Sequence, residues 1–133
     1  MPRRLTLTNK NTHQTLKNLA YEKRVISWLM DDGWQVFTPE CDNGHQTDML
    51  ISDGPNFYRV QIKTVEASGE SHRLQNRWKD SDVHVVVAFA RNFTWGYVMP
   101  AFQDNSRRLN FDGHQRFDQY KNSFLKAFHK LEA

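Results

Sequence analysis

Hydrophobic positions recur along this chain with two different periods, and these periods predict its helices and strands. A helical period fits residues 13–33, where the apolar positions are Leu16, Leu19, Ile26, Leu29 and Met30 and where Gly33 ends the pattern. The same period fits residues 115–131, with apolar positions at Phe117, Tyr120, Phe124, Phe128 and Leu131. The pattern therefore predicts an amphipathic helix near each end of the chain.

Between these helices, shorter apolar segments predict five strands. They are residues 34–39, 47–52, 57–65, 82–90 and 94–100. The turn signal "DGPN" joins the second and third strands into a hairpin, and the nearly continuous apolar run of residues 82–90 is typical of a central strand covered on both faces. Residues 67–81 are irregular and basic, and we expect a loop or a short helix there.

Length and composition favour one domain. The chain has 133 residues, of which 38% are hydrophobic, so we predict a single domain over residues 1–133 with a basic N-terminal arm at residues 1–12. No apolar run approaches the ~20 residues that cross a bilayer, so we expect a cytoplasmic protein with no membrane partner. Cys41 is the single cysteine, which excludes an intrachain disulfide, and we interpret it as an incidental loop cysteine.

The charges are distributed unevenly, although the net charge is only +3. Residues 1–30 contain six Lys and Arg and one acid, Glu22, whereas residues 31–54 contain six acids and no Lys or Arg. An enzyme that acts on a polyanion with a divalent ion needs both kinds of charge, because carboxylates bind the ion and cations bind the phosphates. A solvated acidic loop would give the same composition.

Glu22 lies on the apolar stripe of the first predicted helix. At 100° per residue it falls within about 60° of Leu19, Val25, Ile26 and Leu29. A carboxylate in that position is costly unless a metal ion or a cation such as Lys63 compensates its charge. The alternative is a helix edge from which Glu22 reaches water.

The stretch "YRVQIKTVE", residues 58–66, alternates as a half-buried strand does, with Gln61 and Lys63 on one face. A solvent-facing strand would explain these two polar residues equally well. Asp48 begins the preceding strand directly after the polar loop "CDNGHQT", at a strand end where catalytic groups are common. Taken alone, Asp48 would be read as an ordinary turn aspartate.

A helix with an inward glutamate, followed by "TPECDNGHQTDMLI", "YRVQIKT", "KDSDVHVVVAFA" and "WGYVMP", resembles the PD-(D/E)xK nuclease superfamily over about residues 13 to 131. Within it, the chain is most similar to small group I intron homing endonucleases, with archaeal Holliday-junction resolvases as relatives. The resemblance implies an α/β fold with a restriction-endonuclease-like core, a mixed β-sheet flanked by helices.

The resemblance also implies roles for particular residues. Asp48 matches the central aspartate, Gln61 the variable acidic position and Lys63 the lysine, while Glu22 matches the helix glutamate of the resolvase-like branches. Most of the superfamily has Asp or Glu where this chain has Gln61, although some intron endonucleases use Gln. Asp48, Gln61, the carbonyl of Ile62 and Glu22 would then bind Mg²⁺, for which Mn²⁺ can substitute, and Lys63 would orient or deprotonate the attacking water.

The implied function is metal-dependent hydrolysis of phosphodiester bonds in double-stranded DNA. Two alternatives are a junction resolvase with the same chemistry and an inactive DNA-binding or regulatory protein, which Gln61 favours. The residues expected to contact DNA are Arg3, Arg4, Lys10, Arg73, Arg77 and Lys79, and Trp78 is placed to stack on a base, unless residues 67–81 form only a solvated loop. Because one site cuts one strand, we expect a homodimer or homotetramer.

Overall fold

The first helix, α1, spans Lys10–Asp31 in this computed structural model, which describes residues 1–41 and 45–131. Residues 42–44, within the polar loop before Asp48, and residues 132–133 lie outside the described part. The Asn9 side chain caps α1 by accepting hydrogen bonds from the backbone N–H groups of Asn11 and Thr12, and Gly33 follows the helix with φ at 98°. The helix therefore includes the last three residues of the predicted N-terminal arm.

The buried face of α1 is narrower than its apolar pattern predicts. Val25 and Leu29 are fully buried, whereas Leu16, Leu19 and Met30 are 53%, 44% and 59% exposed. At 100° per residue, these three lie about 120–180° from Val25 around the helix axis, so they cannot face the same core. The prediction that they belong to the core stripe is wrong.

Six strands form one mixed sheet in the order β1-β2-β3-β5-β6-β8. Only β3 and β5 are parallel, and all other neighbours are antiparallel. The strands of this sheet are β1 (Gln35–Phe37), β2 (Met49–Ser52), β3 (Phe57–Val65), β5 (Val85–Ala90), β6 (Trp95–Pro100) and β8 (Gln115–Asp118). All six residues of β5 are buried, which confirms the predicted central strand.

The connection between β3 and β5 differs from the sequence prediction. It contains the short strand β4 (Arg73–Gln75), which pairs with β7 (Ser106–Arg108) in a separate two-stranded sheet. Trp78 follows β4, is 1% exposed, and donates its indole N–H to the carbonyl of Phe102 at 3.3 Å. The segment predicted as a loop or short helix is therefore partly a strand with its own core contact.

The C-terminal segment also differs, because its first residues form β8 and the helix α2 covers only Lys121–His129. Phe117 is buried as a strand residue paired with Gly96, and Tyr120 is an exposed residue at the start of α2. Phe124 and Phe128 are buried as predicted. Residues 115–118 contain one apolar residue, so periodicity does not distinguish helix from strand there, and pairing with β6 makes them a strand.

The two faces of the large sheet carry separate cores. Both helices pack on one face, where Val25, Trp28, Leu29, Phe124 and Phe128 meet strand residues such as Val60 and Ile62. The other face is covered by residues from the two-stranded sheet and its surrounding loops, including Leu74, Trp78 and Leu109. The predicted α/β class with a mixed sheet and flanking helices is confirmed. Among the described residues, no helix is long and apolar enough to cross a membrane.

Candidate functional site

Asp48 holds together the end of the β2–β3 hairpin. The strand pairing stops at Met49 opposite Val60, and the backbone N–H of Asp48 still donates to the carbonyl of Val60 at 2.9 Å. Beyond that point β2 no longer pairs with β3, and the Asp48 side chain provides the acceptor instead. Its Oδ2 accepts a hydrogen bond from the backbone N–H of Ile62 at 2.6 Å. The carboxylate is therefore fixed at the point where β3 extends past β2.

Gln61 is buried, with 6% of its surface exposed, so the interpretation of a solvent-facing strand is wrong. Its amide Nε2 lies 3.4 Å from the carbonyl oxygen of Ile62, a long hydrogen bond. Its Oε1 is buried and accepts no hydrogen bond from the described residues. Because buried polar atoms are nearly always satisfied, this oxygen calls for a donor or a cation.

Asp48 and Gln61 thus contact opposite ends of one residue, the N–H and the carbonyl of Ile62. A carboxylate, an amide side chain and the backbone carbonyl that the amide contacts are therefore all in contact with, or part of, this one residue of β3. These are hard oxygen ligands of the kind that Mg²⁺ prefers.

Lys63 shares the face of Gln61, but that face is turned away from α1. Val60 and Ile62 pack against the helices, whereas Gln61 and Lys63 lie opposite Val86 and Ala88 of β5, which belong to the other core. Alternation along β3 therefore places Gln61 and Lys63 on the opposite sheet face from the one on which α1, with Glu22, packs. Glu22 belongs to α1 and lines a cleft together with Asp48.

Glu22 and Asp48 line one cleft of about 340 Å³. Glu22 is half-buried at the border of the packed face of α1, about 60° from Val25. The remaining lining residues are Lys23, Ile26, Thr38, Pro39 and Thr47. The sequence analysis did not identify Thr38, Pro39 and Thr47 as site residues. Their position at the ends of predicted strands was the one feature that could have indicated them.

The described residues contain no group of three or more His, Cys, Asp or Glu side chains placed to hold a metal ion. Among the described residues, the carboxylates that line the cleft are those of Glu22 and Asp48. A divalent ion near Asp48 would therefore need neutral oxygen ligands in addition to these carboxylates. The candidates are the Oε1 of Gln61, which accepts no hydrogen bond from the described residues, and the carbonyl oxygen of Ile62. These oxygens are of the chemical type that a hard divalent cation binds.

The residues predicted to contact DNA lie in two regions of the chain. Arg3, Arg4 and Lys10 are exposed near the N-terminus, and Arg73, Arg77 and Lys79 are exposed in and after β4. Burial of Trp78 makes its predicted stacking on a base wrong. Cys41 is an exposed free thiol.

A comparison with solved structures gives a match to a bacterial homing endonuclease, I-Ssp6803I. The match covers 80% of this chain and 75% of that chain, with a TM-score of 0.54 and 18% sequence identity. No protein-family model matches the chain, and no curated protein matches it. At this level of identity, the likeness concerns the fold.

Proposed function

We propose that this protein is a metal-dependent DNA endonuclease of the homing type, which hydrolyses phosphodiester bonds in double-stranded DNA. The observation that carries the proposal is the convergence of Asp48 and Gln61 on Ile62, with the buried Oε1 of Gln61 left unsatisfied by the described residues. The fold it shares with I-Ssp6803I, a bacterial homing endonuclease, supports the same function.

The residues that would hold the metal are Asp48, Gln61, Ile62 through its carbonyl, and Glu22 across the cleft. Bound there, Mg²⁺ would polarise the phosphate and lower the pKa of a coordinated water. Mn²⁺ would substitute because it accepts the same oxygen ligands.

The protein's own groups would position the reaction. The backbone N–H of Ile62 fixes the Asp48 carboxylate at 2.6 Å, so that its orientation does not depend on the substrate. Lys63, on the same face as Gln61, would orient or deprotonate the attacking water and offset the negative charge that develops on the phosphate. Glu22 would contribute the second formal negative charge.

DNA is the proposed partner, held by the exposed cations at the N-terminus and around β4. Since one such site cuts one strand, a double-strand break requires at least two copies, and we propose a homodimer or homotetramer.

Two measurements test the proposal. The first is the melting temperature with and without Mg²⁺, which needs no knowledge of the target DNA. Wild type should gain stability with Mg²⁺, because an ion that binds only the folded state stabilises it. The Asp48→Asn variant should lose this gain, while Asp53→Asn, a matched change in the exposed β2–β3 turn, should keep it.

The second measurement is cleavage of a linear DNA library with a randomised segment and of a four-way junction. Cleavage of linear DNA by wild type and Asp53→Asn, but not by Asp48→Asn, is the expected result. Cleavage of the junction alone would favour the resolvase, and DNA binding with neither cleavage nor a Mg²⁺ effect would favour the inactive protein.

A further inference from the structure

The two-stranded sheet of β4 and β7 forms a short ribbon with two different faces. Arg73 pairs with Arg108 and Gln75 with Ser106, so these four side chains share the outer face. Arg73, Gln75 and Arg108 are exposed, and Ser106 is half-buried. On the inner face, Leu74 is 4% exposed and belongs to the core beneath the ribbon.

The outer face places like charges next to each other. Arg73 and Arg108 are direct cross-strand partners, an arrangement that normally costs stability. Arg73 donates to two neutral oxygens of Ser106, through Nε to Oγ at 3.0 Å and through Nη2 to the carbonyl at 3.4 Å, and neither contact offsets its charge. An anionic partner would remove the repulsion.

Arg107, by contrast, makes its contacts within the protein. Its guanidinium lies 4.8 Å from the ring centre of Phe102 and 4.2 Å from that of Phe111, and its Nη2 donates to Asp104 at 3.3 Å. The positive charge available on the outer face therefore comes from Arg73 and Arg108.

The ribbon is held rigidly at its ends. The Asn76 side chain donates to the carbonyls of Phe102 at 2.8 Å and Asp104 at 3.0 Å, and its backbone N–H donates to Asn105 at 2.9 Å. At the other end, the backbone N–H of Leu109 donates to the carbonyl of His72 at 2.9 Å. A binding element whose backbone is fixed in this way loses less backbone entropy when it contacts a partner.

We propose that the outer face of this ribbon enters the major groove of DNA and reads base edges. The inference rests on the proposed function, which supplies DNA as the partner. The major groove admits a two-stranded ribbon, and Arg, Gln and Ser are side chains that recognise guanine, adenine and either base, respectively. Leu74 belongs to the same core as Val86 and Ala88, so the ribbon covers the sheet face that carries Gln61 and Lys63.

Selection of bound sequences from a randomised duplex library tests this reading. Every protein in the selection carries Asp48→Asn, so that bound DNA is not cut. The Gln75→Glu change should move the preference at one base position from adenine to cytosine by about tenfold or more, because a carboxylate accepts from the cytosine amino group. The same change at Gln35, an exposed residue of β1, is the control and should leave the preferred sequence as it was.

Arg108→Gln should weaken the preference for guanine at a neighbouring position. A uniform loss of affinity for all sequences in both ribbon variants, with no change in preference, would mean phosphate contacts only and would overturn base reading. So would the absence of any sequence preference in the parent protein. If the parent protein binds no DNA at low salt, the result contradicts the proposed function as well. If the variants still bind DNA and the preference changes at neither position, the result contradicts only base reading by the ribbon.

Discussion

The Oδ2 atom of Asp48 accepts a hydrogen bond from the backbone N–H of Ile62 at 2.6 Å. This contact closes the end of the β2–β3 hairpin and at the same time orients the carboxylate that we propose as a metal ligand. Asp48 therefore has a structural role beside its chemical one. Substitutions that remove both roles together cannot show which of them matters for activity.

We expect Asp48→Asn and Asp48→Ala to abolish cleavage equally but to differ in stability. Asparagine offers a side-chain oxygen to the Ile62 N–H without the negative charge, so its melting temperature should stay close to wild type. Alanine leaves the partly buried N–H without its acceptor, at a cost of about 1–3 kcal/mol. Thermal unfolding followed by circular dichroism separates the two. Wild-type cleavage by either variant would remove Asp48 from the site.

Lys63→Ala should lower the cleavage rate at least about 100-fold while DNA affinity changes little, since loss of a general acid or base commonly costs this much. Lys126→Ala, in an exposed position on α2, is the matched control and should cleave normally. The two quantities are measured by single-turnover cleavage and by fluorescence anisotropy. If Lys63→Ala loses affinity and keeps its single-turnover rate, Lys63 binds DNA and does not act in the chemical step.

Glu22→Gln should reduce activity severely and leave the melting temperature unchanged or slightly raised. The substitution keeps the shape of a half-buried side chain at the cleft and removes its charge. Glu40→Gln, at an exposed position, serves as the control. Equal activity in both variants would show that Glu22 only borders the cleft.

Local periodicity was sufficient to predict β3, whose bounds of Phe57–Val65 match the prediction, and to predict the buried central strand. It could not show that Gln61 is buried. That burial depends on which sheet face is covered, and the cover on the Gln61 side comes from residues far along the chain, such as Leu74 and Leu109. A period of two predicts which residues share a face but not what lies over it.

The ribbon could not be predicted, because each of its strands is only three residues long and the two are separated by 30 residues of sequence. A segment of three residues carries no measurable period. The prediction of the buried face of α1 was wrong for a different reason, because Leu16 and Leu19 are apolar but exposed. The sequence shows which positions are hydrophobic, whereas tertiary packing decides which of them are covered.

His114 should make stability depend on pH. Burial lowers the pKa of its imidazole, and the ring is held by a contact of 2.8 Å between Nδ1 and the carbonyl of Leu109. Because the folded-state pKa lies below the unfolded value, acid protonates the unfolded chain first, so stability is complete above about pH 6.5 and falls as pH decreases below it.

The His114→Asn variant tests this dependence, since asparagine can donate to the Leu109 carbonyl but does not titrate. Its melting temperature should fall less than that of wild type between about pH 7 and about pH 5. His13→Asn, at an exposed position on α1, is a matched control for the loss of one histidine. Identical pH profiles for His114→Asn and wild type would contradict the prediction.

Gln61→Glu should strengthen metal binding and at the same time destabilise the metal-free protein. The new carboxylate would occupy a position that is 6% exposed, and an uncompensated charge there is costly. Mg²⁺ would compensate it, so the variant should melt below wild type in EDTA and gain more stability from added Mg²⁺. Gln35→Glu, on the exposed edge strand β1, should show neither effect.

Turnover of the Gln61→Glu variant should be unchanged or lower despite the tighter metal binding. A carboxylate two residues from Lys63 and on the same strand face favours the protonated ammonium, which opposes its use as a base. Titration of both the cleavage rate and the melting temperature with Mg²⁺ measures the two effects separately. If the Mg²⁺ midpoint is the same in the variant and in wild type by both readouts, the buried Oε1 of Gln61 is not a metal ligand.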